Sequence, residues 1–366
     1  MSNLAVLAPE YGGSGAAGEP VQHTLLAKAL ARRGYAVSMI TADYGQPDGA
    51  VWHGVKTFKA FDRGAGLPLL RFVHPRWTGL WAALKRADAD VYYVSCAGGI
   101  VGQVALFCQR QGKRLIFRIA SDSDCAPDTL LIPQCYWRDS RLYEYGLRRA
   151  SAVLTQSVRQ QQLLARNYGV SSSIAGMLVE PANSYADSAG RDIDALWVSN
   201  IRSVKRADVL LDVAERLPDI SFHMVGGPVS GELQRFETTR ARARSTPNMT
   251  FHGAVPYCEA FMLYGRARVF VNTSDVEGFP NTYLQAWASG TPVVAFFDPD
   301  NLIAREGLGV VVKTRHEMET AIRMLVHDAS AWNAARARCL AYIEREYSEA
   351  TVLEPYLLLL DRADGR

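Results

Sequence analysis

The sequence predicts an α/β fold of two doubly wound domains. Short apolar runs alternate with helix-patterned stretches along nearly the whole chain, which is the signature of strands laid parallel by helical crossovers. The 366 residues are too many for one ordinary domain and suit two. A polar stretch at 181–191, rich in Ala, Ser and Asp, separates two such alternations and reads as a linker. The first domain is expected over 1–180 and the second over 181–347, with a last helix at 348–360 carrying four consecutive leucines.

Residues 4–8 read as a first buried strand. A loop containing Gly12, Gly13, Gly15 and Gly18 follows, then a helix over 20–33 with Leu25, Leu26, Ala29 and Leu30 at helical spacing. Gly34 stops it, and 35–41 give the next strand. Glycines between a first strand and a first helix let backbone approach a phosphate or sugar, and Gly13 is the candidate contact. The spacing is neither a GxGxxG nor a P-loop, and a flexible crossover explains it equally well. Strand signals recur at 51–58, 91–95, 115–119, 152–155 and 173–176. Helices are expected at 76–86, 100–111, 138–149 and 158–168. Asp122 and Asp124 follow the strand at 115–119, where a parallel sheet binds ligands, so they are candidate acceptors for ligand hydroxyls. The plainer role is capping N–H groups of their own loop. Residues 69–77 mix apolar, aromatic and basic side chains. Contact with a membrane interface or a lipid-linked acceptor would explain them. A core-contacting loop that opens a helix is preferred, because the stretch is short and carries few positive charges.

In the second domain, strands are expected at 195–199, 221–225, 249–252, 268–272 and 291–296. Helices are expected at 207–217, 231–243, 257–267, 281–288, 315–327 and 330–346. Two loops carry chemistry. Asn200, Arg202, Lys205 and Arg206 follow the first strand and open the next helix. Positive charge is disfavoured at a helix start, so the three cations ask for an anion. A diphosphate fits, with Lys205 as a point charge and arginine as a bidentate fork. Glu277 lies in the loop before the helix at 281–288, whose free N–H groups favour a ligand anion that a neighbouring carboxylate would repel. It is best explained as an acceptor for ligand hydroxyls, with Gln285 two helical turns on; an ordinary first-turn acid is the alternative.

Composition limits the rest. Hydrophobic content of 48% and charged content of 21% are ordinary for a globular chain. A net charge of +3, with basic residues scattered, gives no nucleic-acid face. The six cysteines form no CxxC pair and no zinc spacing. No Asp-x-Asp metal site is read either, since the run Asp122 to Asp124 stands in the first domain, so no metal is expected. Cys96, Cys108, Cys258 and Cys339 stand in apolar segments and are expected in the core. The N-terminus does not look like a leader, and no run is long enough to cross a membrane. A cytoplasmic protein is expected.

Glu277-Gly278-Phe279-Pro280-Asn281 resembles the Glu-x7-Glu region of retaining glycosyltransferases of the GT-B fold, the family 4 group, with Gln285 in place of the second acid. Arg33-Gly34-Tyr35-Ala36-Val37, the turn Gly226-Gly227-Pro228 and the turn Phe251-His252-Gly253 resemble further parts of that family. The resemblance implies two Rossmann-like domains facing across a cleft, with the last helix crossing back to the first domain. It implies transfer of a sugar from a nucleotide-diphosphate sugar to a saccharide or lipid-linked acceptor, in polysaccharide, glycolipid or glycoconjugate synthesis. Retention of configuration, no cofactor and no metal are also implied. Peripheral contact with the inner face of a membrane remains open. Lys205 and Arg202 would hold the diphosphate, since Asn200 stands where the family has arginine. Glu277 would hold hydroxyls of the donor sugar and Gln285 the ribose. Gly13, Gly226, Gly253, Gly278, Phe279, Asn281 and Thr282 would supply further donor contacts. A nucleotide-sugar epimerase on the same fold is one alternative. A catalytically silent nucleotide-binding scaffold, favoured only by Asn200 and Gln285, is the other.

Overall fold

The computed structural model describes residues 4, 6–12, 18–67, 70–126, 137–180 and 190–361. The chain divides into two units, Met1–Leu178 with Glu349–Arg366, and Val179–Ser348. Gly13 and most of the polar stretch 181–191 lie outside the described residues.

The first unit runs α1 (Pro9–Gly12), α2 (Gly18–Arg32), β1 (Val37–Thr41), β2 (Val51–Trp52), β3 (Val55–Lys59), α3 (Thr78–Ala87), β4 (Val91–Ser95) and α4 (Gly99–Gln111). It continues through β5 (Arg114–Arg118), α5 (Trp137–Arg149), β6 (Ala152–Thr155), α6 (Val158–Tyr168) and β7 (Ser173–Ile174). Among the described residues the strands form two sheets, ordered β1-β3-β2 and β4-β5-β6-β7, the second parallel throughout. Leu115, Phe117, Val104, Phe107 and Tyr143 fill the core of the larger sheet. There α4 and α5 meet backbone to backbone: a Cβ on Gly102 would lie 2.1 Å from the Leu142 carbonyl oxygen.

Two expectations fail here. Residues 4 and 6–8 form no strand; the Ala8 N–H donates to the Leu4 carbonyl (2.8 Å) in a turn that leads into α1. Leu4, Leu7 and Ala8 are still buried, against Ala27, Met39 and Val55. Burial alone dictates the apolar run, and a buried turn satisfies it as well as a strand. The expected strand at 51–58 is a hairpin of β2 and antiparallel β3. His53 and Gly54 both have positive φ (51° and 78°), the conformation that reverses a chain in two residues.

The second unit runs β8 (Ile193–Val198), α7 (Ala207–Arg216), β9 (Phe222–Val225), α8 (Leu233–Ser245), β10 (Met249–Gly253), α9 (Tyr257–Arg266) and β11 (Ala267–Asn272). Then follow α10 (Asn281–Ala288), β12 (Val293–Ala295), α11 (Leu302–Glu306), β13 (Gly309–Val311), α12 (Arg315–His327) and α13 (Ala329–Glu346). One parallel sheet results, ordered β10-β9-β8-β11-β12-β13. Sequential strands leave β8 on one side and then, from β11, on the other. The topological switch point therefore lies between β8 and β11. Neither α11 nor β13 was expected: β13 is three residues long, and only glycine fits its start, where a Cβ on Gly309 would lie 1.9 Å from the Val293 carbonyl oxygen. The expected polar linker ends on a buried anchor instead. Arg191 donates to Thr291 Oγ1 (2.6 Å), to the Ser289 carbonyl (2.5 Å) and to the Ala267 carbonyl.

The last helix, α14 (Glu349–Asp361), belongs to the first unit. Tyr356 Oη donates to the Gly176 carbonyl (3.2 Å), Arg114 donates to the Leu359 carbonyl (2.6 Å), and Tyr35 Oη donates to Asp361 (2.7 Å).

Candidate active site

The loops after β8 and β11 diverge at the switch point, and both predicted charge clusters stand on them. Each is tied to the other before any ion pair forms. Trp197, in β8, donates its Nε1–H to Thr273 Oγ1 (3.0 Å), and that hydroxyl donates to the Lys205 carbonyl (2.6 Å). The Ser274 N–H donates to Asn272 Oδ1 (2.8 Å), which curls the loop after β11. On this frame Lys205 Nζ donates to Glu277 Oε1 across 72 residues of chain. The two side chains are 20% and 13% exposed. That is enough burial to strengthen the attraction and enough exposure for a ligand to compete for it.

The other cations divide. Arg206 has left-handed backbone (φ 49°) where a short turn hands over to α7. It pairs with Asp275 and lies over the Phe296 ring at 5.2 Å. Arg202 is exposed and has no ion pair among the described residues. Asn200 is half-buried beside it. The three cations are thus one pair with Glu277, one pair with Asp275 and one unpaired guanidinium. The Asp275 pair was not anticipated; nothing short of the fold brings 206 and 275 together.

The glycine turns are close-packed. The Gly226 N–H donates to the Gly253 carbonyl (2.8 Å), which joins the ends of β9 and β10. A Cβ on Gly226 would lie 2.2 Å from the Ser199 carbonyl oxygen, and Gly253 has φ 71°. Beside Gly253, His252 Nε2 and His223 Nδ1 share a hydrogen bond (2.9 Å). Both imidazoles have lowered pKa values, first through burial. Gly278 and Phe279 are half-buried in the loop after β11, with Phe279 6.3 Å from the Tyr347 ring. Asn281 and Thr282 open α10, and Gln285 is buried on it. The Tyr257 phenol is pushed above its ordinary pKa by burial and by the charge of Glu180, and it faces Gln285.

In the first unit, Asp124 accepts from the N–H groups of Ala120 (2.9 Å) and Ser121 (3.2 Å) and from Ser121 Oγ (3.2 Å). It is buried, and burial raises its pKa. Asp122 pairs with Arg159 (2.9 Å) and accepts from Gln160 Nε2 (3.2 Å). Both carboxylates are therefore engaged in their own loop and in α6. Sequence reasoning missed Arg118 at the end of β5. Its guanidinium is buried beside Tyr93 and Tyr356, and Nε and one terminal nitrogen have no hydrogen-bond partner among the described residues. Cys258, expected in the core, is exposed on α9, while Cys108 and Cys339 are buried. An apolar segment does not say which face of its helix a small residue takes. Among the described residues no group of three or more His, Cys, Asp or Glu is placed to hold a metal ion.

Residues 192–328 match the family described as Glycosyl transferases group 1, and residues 18–174 match the Glycosyl transferase 4-like domain. No curated protein matches the sequence. Among solved structures, the chain is similar to sucrose-phosphate synthase from Thermosynechococcus elongatus (TM-score 0.77, 17% identity, covering 96% of this chain and 95% of that one). It is similar to HepE from Anabaena in complex with UDP-glucose (TM-score 0.74, 13% identity, 96% and 97%). It is also similar to TarM from S. aureus (TM-score 0.62, 17% identity, 78% of this chain), of which it spans 58%. These neighbours share a fold of two Rossmann-like domains, the architecture of both units here. The two family matches cover both units, and the chain belongs to the group 1 glycosyltransferases of the GT-B fold.

Proposed function

We propose that the protein transfers a sugar from a nucleoside diphosphate sugar to a saccharide hydroxyl with retention of anomeric configuration, and without a metal or other cofactor. The observation that carries this is the Lys205–Glu277 pair at the switch point of the second sheet, with Arg202 at the start of the same short turn and in no ion pair among the described residues. Parallel sheets bind ligands at that position. An arriving diphosphate would take Lys205 and Arg202 as its counterions. Glu277, released from the ammonium, would accept hydrogen bonds from the donor sugar. UDP is the first nucleotide to try, since HepE was solved with UDP-glucose and the pneumococcal GtfA with UDP and GlcNAc.

In this reading the bond from the anomeric carbon to the diphosphate oxygen breaks, and its electron pair leaves with the phosphate. Lys205 and Arg202 stabilise that charge. The acceptor hydroxyl attacks the same face, and its proton passes to the departing phosphate oxygen. The reading needs no covalent nucleophile from the protein, and Glu277 is held by Lys205 before the donor arrives. On the second unit, Gly226, Gly253, Gly278, Phe279, Asn281, Thr282 and Gln285 would supply further contacts to the donor. Asp122 and Asp124, engaged in their own loop and with α6, would act on an acceptor only through the shape of that loop. A place in polysaccharide or glycoconjugate synthesis follows if the acceptor is a growing chain.

The test is nuclear magnetic resonance of the product from α-configured UDP-sugars and a panel of saccharides, run with a chelator present. An α-linked product with chelator supports the whole reading. A β-linked product overturns retention, and turnover only with added metal overturns metal independence. UDP binding with no turnover of any donor would favour the silent scaffold.

A further inference from the structure

Tyr257 opens α9, the helix that leaves the carboxyl end of β10. It stands four positions after Gly253, whose carbonyl takes the Gly226 N–H. Parallel sheets bind ligands at that end. The Tyr257 ring stacks on Phe261, one helical turn on, with centroids 6.2 Å apart and planes 29° apart. Phe261 is buried, so the phenol is held in place. Helix α10 packs against α9, and the phenol faces Gln285 on it, a side chain only 9% exposed. Tyr257 Oη is nevertheless buried with no hydrogen-bond partner among the described residues.

A buried hydroxyl without a partner destabilises the fold, because it has lost its hydration and gained nothing for it. Phenylalanine would keep the stack on Phe261 and avoid that penalty, so stability does not explain the oxygen. Tyr264 and Ser289 also carry buried hydroxyls without partners among the described residues. They stand in the last turn of α9 and just past the end of α10. Each of these helices starts at the carboxyl end of one parallel strand and leads to the start of the next, so those two oxygens lie at the far end of the sheet. The Tyr257 hydroxyl lies at the end where a ligand arrives.

The missing partner must suit both side chains. Burial and the charge of Glu180 hold the phenol protonated, so its O–H is a donor. The Gln285 amide both donates and accepts. A phosphate only accepts, and Glu180 would repel it. A sugar hydroxyl accepts from the phenol and donates to the amide oxygen. We propose that Tyr257 joins Gln285 in holding a ribose hydroxyl of the donor nucleotide, and that the chain thereby selects ribonucleotide over deoxyribonucleotide donors; this rests on the donor binding at the switch point. A site built to hydrogen-bond a hydroxyl rejects the analogue that lacks it, since its buried groups are then left unpaired. The phenol also explains how an amide serves where the family carries an acid: one donor and one acceptor replace a single charged acceptor.

The experiment is titration calorimetry of the full chain, wild type and Tyr257→Phe, against UDP and GDP and the 2′-deoxy and 3′-deoxy forms of whichever binds. These ligands carry no transferred sugar, so any preference among them reports the ribose. Wild type is expected to bind the ribonucleotide about tenfold more tightly than at least one deoxy form. In Tyr257→Phe that preference should fall to about twofold, the share left to Gln285. The variant sheds an unbonded buried hydroxyl, so its urea midpoint should match or exceed that of wild type. Equal binding of the ribonucleotide and both deoxy forms by wild type overturns the inference and leaves the donor site standing. So does a preference that Tyr257→Phe keeps, and a lowered midpoint would then mark the hydroxyl as structural. Binding of neither nucleotide overturns the donor site itself, and the inference with it.

Discussion

The two parallel sheets use the acids at their carboxyl ends differently. In the second unit, Glu277 and Asp275 reach Lys205 and Arg206 on another loop. In the first, Asp124 holds N–H groups three and four residues before it, and Asp122 holds Arg159 and Gln160. A carboxylate that satisfies backbone N–H groups is part of its loop, and its removal strands buried donors. A carboxylate paired with a lysine that keeps some exposure can trade that partner for a ligand. The second sheet therefore carries charge that can be exchanged, and the first carries charge that builds.

Glu277→Gln should give the largest effect on turnover. The side chain keeps its size and loses its charge, so kcat/KM should fall about a hundredfold or more, while the melting temperature hardly moves. Steady-state kinetics and calorimetry separate the two. Asp124→Ala should do the reverse. It removes a buried acceptor of three hydrogen bonds and should cost about 2–3 kcal/mol of stability, read from urea unfolding, with UDP affinity unchanged. Equal losses of affinity and stability in both variants would erase the contrast.

The units also share a pH response. Burial lowers the pKa of His23 in the first unit to about 3 and lowers those of His223 and His252 in the second. His23 also feels Arg118, and His223 feels His252 and Arg266. Unfolded, each imidazole takes a proton near 6.5; folded, each resists it. The unfolded chain thus binds more protons below that pH. Stability is full above it and falls as the pH drops, for His23 down to about 3. His23→Gln should flatten the urea midpoint against pH more than His252→Gln does. The smallest effect is expected of Gln285→Glu. A charged acceptor for ribose hydroxyls gains about 1 kcal/mol over a neutral one, or about fivefold tighter UDP by titration calorimetry. No gain would place Gln285 away from the ribose.

Much of the second unit was legible because its strands are short apolar runs bounded by polar loops, and helix α10 spans 281–288 as expected. The charge clusters were legible too, as residue types in the wrong place for a helix start. Their pairing was not, since only the fold brings Lys205 to Glu277. Burial without periodicity misled at residues 4–8, where a buried turn passes for a strand. The hairpin at His53-Gly54 was hidden because apolar residues flank it on both sides. Asp122 and Asp124 could be read either way, because a capping acid and a ligand-binding acid occupy the same kind of loop. In the stretch before α3, Leu70 and Val73 are exposed while Trp77 meets the Trp81 ring; hydrophobicity does not state which way a side chain faces.

The most direct test is titration calorimetry of UDP, with chelator present, against wild type, Lys205→Ala and Asp124→Ala. The account predicts binding to wild type and Asp124→Ala with similar affinity, and at least about tenfold weaker binding to Lys205→Ala. Undiminished binding to Lys205→Ala would contradict it, because the pair at the switch point would then not be the donor site.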